Sequence, residues 1–247
     1  MKRLLSSCVV LALVAAITPA YPQLPHGPFD QQHGDLLPDR TASSPVTRGD
    51  KERQLLWAVE YYDLRRAQKA LDGGAQVDVA DSKGYTPLMW ASHMGFPDMV
   101  KLLLSRGANA NATNRKGWTS LHIASMRGYS DIAQLLIAHR ADVNRPLPDG
   151  STPMIFAVAR NRLDVVKVLL ESRADLEGST TERWTPLMFS AAFGRPEIAA
   201  LLLQRGANPR AQDKDGRTAL DWAKRCGHTD VAKILEQVSA KGQAPKE

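Results

Sequence analysis

The stretch "KGYTPLMWASHMGFPDMVKLLLSRGANAN" (Lys83–Asn111) decides the reading of this chain, because it returns every 33 residues. Downstream the rows are "KGWTSLHIASMRGYSDIAQLLIAHRADVN", "DGSTPMIFAVARNRLDVVKVLLESRADLE", "ERWTPLMFSAAFGRPEIAALLLQRGANPR" and "DGRTALDWAKRCGHTDVAKILEQVSAKGQ". No insertion or deletion is needed to align these five rows. Upstream, "DKERQLLWAVEYYDLRRAQKALDGGAQVD" (Asp50–Asp78) keeps the Ala58 and Gly74-Ala75 places but lacks the Gly-x-Thr-Pro start. A fixed period of this length is the mark of a repeat architecture.

The residues of one row imply turn, helix, turn, helix. Thr86, Thr152 and Thr185 suit an N-cap through the hydroxyl, and Pro87, Pro153 and Pro186 follow at the first helical place. A helix of about two turns then places Leu88 and Ala91 on one inner face. Gly95, Gly128, Gly194 and Gly227 stop it, and Asn161 stands in for Gly because Asn tolerates the left-handed conformation. The second helix carries Val165, Val166, Leu169 and Leu170 at spacings that share a face.

These rows resemble the ankyrin repeat family from Asp50 to about Val238. The resemblance implies an all-α ankyrin-repeat solenoid of six 33-residue helix-turn-helix repeats with projecting β-hairpin turns. The repeats run 50–82, 83–115, 116–148, 149–181, 182–214 and 215–240. One repeat cannot bury its own apolar face, so stacking is required. Arg65, Arg66, Gln68 and Lys69 make the first repeat a polar cap; Lys233, Glu236 and Gln237 do so at the other end. The family's T-P-L-H motif is complete in no row. His122 keeps the His behind Ser120, and Met89, Ile155, Met188 and Asp221 replace it elsewhere. Arg140 and Arg173 stand where Gly would end the second helix, which predicts locally weaker third and fourth repeats.

The 247-residue chain has a formal charge of +6 and is 43% hydrophobic, enough for a substantial core. Its first residues read as a signal peptide, 1–20. Lys2 and Arg3 form the basic region, Leu4–Ile17 the apolar one, and Thr18-Pro19-Ala20 a cleavage site after Ala20. Retention as an anchor is the alternative. "LSSC" is not a lipoprotein box, because the apolar run follows Cys8. Cleavage removes two positive charges, leaving about +4, and one thiol, Cys226. Residues 21–49, rich in Pro, Gln and Asp, read as a flexible linker, and 241–247 as a disordered tail. His26, Asp30, His33 and Asp35 are read as solvated side chains of that linker, not as a metal site.

No hydrolase, nucleotide-binding or metal motif is present. Cys226 and His228 are adjacent enough to suggest an activated thiol, but Gly227-His228 is ordinary for the repeat. "NAT" (Asn111–Thr113) is a glycosylation sequon that carries meaning only in a eukaryotic source. The basic residues are interleaved with acidic ones in every row, which argues against nucleic acid as a partner.

The eighth place of each row, Trp57, Trp90, Ile123, Phe156, Phe189 and Trp222, is always large and apolar and reads as core. The third place is Tyr85, Trp118, Ser151, Trp184 or Arg217. That variety predicts display on the hairpin tip, where the resemblance also implies partner contact. His93, Met94, Met126, Arg127, Arg160, Phe193 and Arg225 are expected on the exposed face of the first helices. Together with Tyr85, Trp118 and Trp184 they form the candidate partner-binding set, with the two Trp as anchors. Truncating both Trp is therefore expected to weaken binding and leave melting nearly unchanged.

The resulting expectation is a monomeric, non-catalytic module without cofactor or metal that binds another protein through hairpin tips and concave helix face. The leader and the Ala- and Arg-rich composition resemble those of bacterial periplasmic ankyrin-repeat proteins, so the expected location is periplasmic or secreted, with no membrane contact after cleavage. A secreted effector acting on host proteins and a thiol-dependent redox helper using Cys226 are the alternatives.

Overall fold

The computed structural model describes Arg48–Lys241. The expected signal peptide, the expected linker apart from its last two residues, and the last six residues lie outside the described residues. Twelve helices and no strand occur among the described residues. They form pairs: α1 (Arg48–Glu60) with α2 (Leu64–Asp72), α3 (Pro87–Met94) with α4 (Pro97–Ser105), and α5 (Ser120–Arg127) with α6 (Ser130–Ala138). The series continues with α7 (Pro153–Ala159) and α8 (Leu163–Glu171), α9 (Pro186–Ala192) and α10 (Pro196–Gln204), α11 (Ala219–Cys226) and α12 (Thr229–Lys241). Odd-numbered helices pack on one another as an inner row, and even-numbered helices as an outer row. The helical repeat begins at Arg48 and runs to Lys241, slightly beyond both expected bounds.

Each inner helix from α3 onward starts at a Thr whose Oγ1 accepts a hydrogen bond from the backbone N–H three residues on. Thr119 and Thr218 cap in this way too, although Ser120 and Ala219 replace the Pro. The hydroxyl, not the Pro, is therefore the constant starting signal. Gly95, Gly128, Gly194, Gly227 and Asn161 all adopt positive φ at the other end, as their residue types predict. The small ninth place lets inner and outer helices close on each other: Ala58, Ala91, Ala124, Ala157 and Ala223 have no exposed surface. Val100, Leu103, Leu136, Val166, Leu169 and Leu202 are equally buried from the outer row. This continuous seam is the core, and it exists only because repeats stack.

A second set of contacts joins the turns. Asp78 accepts a hydrogen bond from the N–H of Asn109, Asn111 from Asp142, Asn144 from Asp175, and Glu177 from Asn208, at 2.7–3.2 Å. Each bond ties one repeat's turn to the next repeat's backbone.

Arg140 and Arg173 sit at φ 65° and 60°, and Arg183 at φ 62°. The backbone bond closing the second helix is nevertheless the same in every such turn: Ala141 to Leu136 and Ala174 to Leu169 match Ala108 to Leu103. The stack imposes the left-handed geometry on Arg, at a cost of roughly 1–2 kcal/mol each. Arg140→Gly with Arg173→Gly is therefore expected to raise stability by about 1 kcal/mol per site, read from the urea midpoint. No gain would show that the Arg side chains hold the turns themselves.

Candidate functional site

The turn preceding each inner helix is closed by a side-chain acceptor. The Asp81 carboxylate accepts from the N–H groups of Lys83 and Tyr85, the Asn114 carbonyl from Lys116 and Trp118, and the Asp213 carboxylate from Asp215 and Arg217. Such a turn reverses the chain and aims the third place along the stack, not outward. Trp118 consequently lies 4.8 Å, ring to ring, from Phe156 of the next repeat, and Trp184 lies 4.3 Å from Trp222 of its next repeat. Trp118 is 5% exposed, Trp184 6% and Tyr85 9%. The expectation that these three are displayed on hairpin tips is overturned: they are inter-repeat core.

Ser151, the small residue of the same column, is also fully buried. Variety in the column is thus no sign of exposure. Trp184 also packs back onto Phe189 of its own repeat at 5.2 Å, as Tyr85 does onto Trp90. The eighth place is buried at Ile123, Phe156, Phe189 and Trp222 but only half-buried at Trp57 and Trp90. Arg66 lies 4.5 Å over the Trp57 ring, and Asp81 accepts from Trp90 Nε1 at 3.1 Å.

His93 is likewise buried, contrary to expectation, with its Nε2 2.7 Å from an Arg127 guanidinium nitrogen. Met126 is half-buried, and its carbonyl accepts from Arg162 Nε at 3.3 Å. Arg127 is half-buried, and Phe193 is half-buried against Phe189 at 6.1 Å. Arg160 and Arg225 are exposed, the latter 6.0 Å over Trp222. Met94 is exposed at 43%.

Four members of the candidate set fall into register. Met94, Arg127, Arg160 and Phe193 are separated by 33 residues each, so they form one column at the C-terminal end of the inner helices. Tyr61 belongs to the same column in the first repeat, and Cys226 in the last. Tyr61 at 54%, Tyr62 at 42% and Met94 at 43% are the exposed large apolar side chains among the described residues. Tyr61 and Tyr62 are absent from the candidate set, although the first row is in register through Trp57 and Ala58. Counting back from Met94 would have found Tyr61. Both rings are held: Tyr61 stacks on Trp57 at 4.7 Å, and Tyr62 packs on Phe96 at 4.5 Å with its hydroxyl 3.3 Å from Asp98.

Nucleophile chemistry at Cys226 finds no support in this geometry. Burial pushes the thiol pKa up, and the Arg225 charge offsets only part of that. His228 is turned to the preceding repeat, its Nε2 3.0 Å from the Ala192 carbonyl and its ring against Gly194. Gly194 is the place where a Cβ would strike that ring. Among the described residues, no group of three His, Cys, Asp or Glu is placed to hold a metal, and no helix is long and apolar enough to cross a membrane. His26, Asp30, His33 and Asp35 lie outside the described residues.

A family model described as ankyrin repeats (3 copies) matches residues 55–146, 106–180, 144–213 and 178–242, together most of the chain. No curated protein matches it.

Proposed function

Because the chain belongs to the ankyrin repeat family, we propose that it is a non-catalytic module, exported to the periplasm, that holds a partner protein on its inner-helix face. Ankyrin repeats generally mediate binding to other proteins. The observation that carries the reading is the column of Tyr61, Met94, Arg127, Arg160 and Phe193, in which Tyr61, Met94 and Arg160 are exposed and Arg127 and Phe193 half-buried, so that Tyr, Met, Phe and Arg reach solvent in register. These are residue types enriched at protein interfaces, where scattered surface positions favour Lys and Glu. The buried tip aromatics drop out of this site, and the inner-helix face replaces them as its centre.

Export rests on the basic and apolar character of residues 1–20. A reporter enzyme active only outside the cytosol, fused after Lys241, is expected to be active with residues 1–20 and inactive without them. Activity in both fusions would remove the export reading.

The binding face is tested by a photoreactive side chain introduced at Met94 or Arg160, with Gln134, exposed on outer helix α6, as comparison. Irradiation in cells is expected to give a discrete adduct from the first two positions and none from the third. Adducts from Gln134 alone would move the binding face to the outer row.

A further inference from the structure

The exposed column is not uniform along its length. Its first two repeats present Tyr61, Tyr62 and Met94, and its middle repeats present Arg127 and Arg160. Two further arginines, Arg162 and Arg195, lie at the start of the outer helices of the fourth and fifth repeats. Among the described residues, none of these four arginines has a carboxylate within ion-pair distance, although Arg53, Arg66, Arg106 and Arg217 all do. Arg160 and Arg162 are exposed and Arg127 and Arg195 half-buried, and guanidinium groups on a solvated face are suited to a planar acceptor such as a carboxylate.

We infer that this face takes an extended acidic peptide segment, with an apolar residue seated on Tyr61 and Met94 and carboxylates further along on Arg127 and Arg160. The inference rests on the protein-binding reading above and adds the chemistry of the partner. Successive inner helices pack directly on one another, so the column advances roughly 8–10 Å per repeat. A chain in the polyproline II conformation advances about 3.1 Å per residue and returns to the same side every third residue, which sets the carboxylates about three residues apart and the apolar residue about three before them. The held rings of Tyr61 and Tyr62 make the apolar end preorganised.

Exposed Asp131, Asp164 and Glu197 stand in the first turn of the neighbouring outer helices. They would repel a continuous phosphate backbone passing along the rim. Discrete carboxylates, spaced to meet one arginine per repeat, avoid them. This favours an acidic peptide over nucleic acid.

Selection of displayed random twelve-residue peptides on the full chain tests the inference. The enriched peptides are expected to share an apolar residue followed by Asp or Glu at intervals of about three. A synthetic copy of one such peptide is expected to lose at least tenfold in affinity to the Arg160→Glu chain. It should regain affinity when the facing Glu of the peptide is changed to Lys. Arg160 is exposed and caps a helix end through its backbone alone, so the substitution leaves the fold intact. Enriched peptides without acidic residues, or an affinity unmoved by Arg160→Glu, overturn the inference and leave the protein-binding reading standing. Displacement of the peptide by an oligothymidine also overturns it. No enrichment over a bare surface counts against both.

Discussion

Trp184→Ala is expected to cost about 3–5 kcal/mol, the range for truncating a large buried aromatic. The indole is 6% exposed, lies 4.3 Å from Trp222 and 5.2 Å from Phe189, and so joins the fifth repeat to the sixth. Among the described residues, the sixth repeat packs on the fifth alone. In a stack held by nearest-neighbour contacts, loss of this joint should release the end first. Amide exchange in α11 and α12 should therefore accelerate before that of α5 to α8, and the denaturant transition should broaden as it moves down. Trp118→Ala, which opens a gap against Phe156, should instead weaken the middle of the stack. Arg160→Ala, at an exposed site, should change stability by less than about 0.5 kcal/mol. A cost below about 1 kcal/mol for Trp184→Ala would return the side chain to the surface.

The period, the helix starts and the helix stops were all readable, because each is set by a local residue type acting on its own backbone. Thr at the cap, Gly or Asn at the left-handed stop and Ala at the ninth place need no knowledge of neighbours. The third place was misread because its environment belongs to two repeats at once. Column-wise constancy is a fair test for a residue whose partner is constant. Here the partner is the eighth place of the next row, which itself varies from Ile123 to Trp222. Trp118 over Phe156, and Trp184 between Phe189 and Trp222, are buried by the joint between repeats, which a single column does not show.

The polar ladder between turns was visible in principle. Asp78, Asn111, Asn144 and Glu177 all have an oxygen acceptor, and only Arg210 in the same column lacks one. Arg210 belongs to the fifth repeat, and the amide it would have to meet lies where the sixth repeat ends in α12 instead of a turn. An acceptor is required only where another turn follows.

Between pH 7 and pH 5 the wild-type chain is expected to lose about 2 kcal/mol more stability than a His122→Met variant. His122 is fully buried, and burial pulls its pKa down to about 4. Nδ1 accepts from Thr119, whose backbone N–H and hydroxyl lie at 3.3 and 2.8 Å. The carbonyls of Arg145 and Ser151 and the Asp149 carboxylate favour the cation, while Nε2 meets no acceptor at hydrogen-bonding distance, so burial prevails. The unfolded imidazole takes up its proton near pH 6.5. Below that pH the unfolded chain binds a proton that the folded chain refuses, and stability falls with pH until the folded group also titrates near 4. At about 1.4 kcal/mol per pH unit, the full window is worth about 3 kcal/mol, and the span from 6.5 to 5 about 2. Met is a fair replacement because Met89 and Met188 occupy the same place in sister repeats with no exposed surface. Loss of the acceptor for the Thr119 N–H lowers the variant's stability at every pH and leaves its pH slope untouched. The carboxylates titrate alike in both chains and cancel in the comparison. Equal slopes in the two chains, measured as urea midpoints at pH 7, 6 and 5, would mean that the third repeat opens enough to protonate His122 without unfolding.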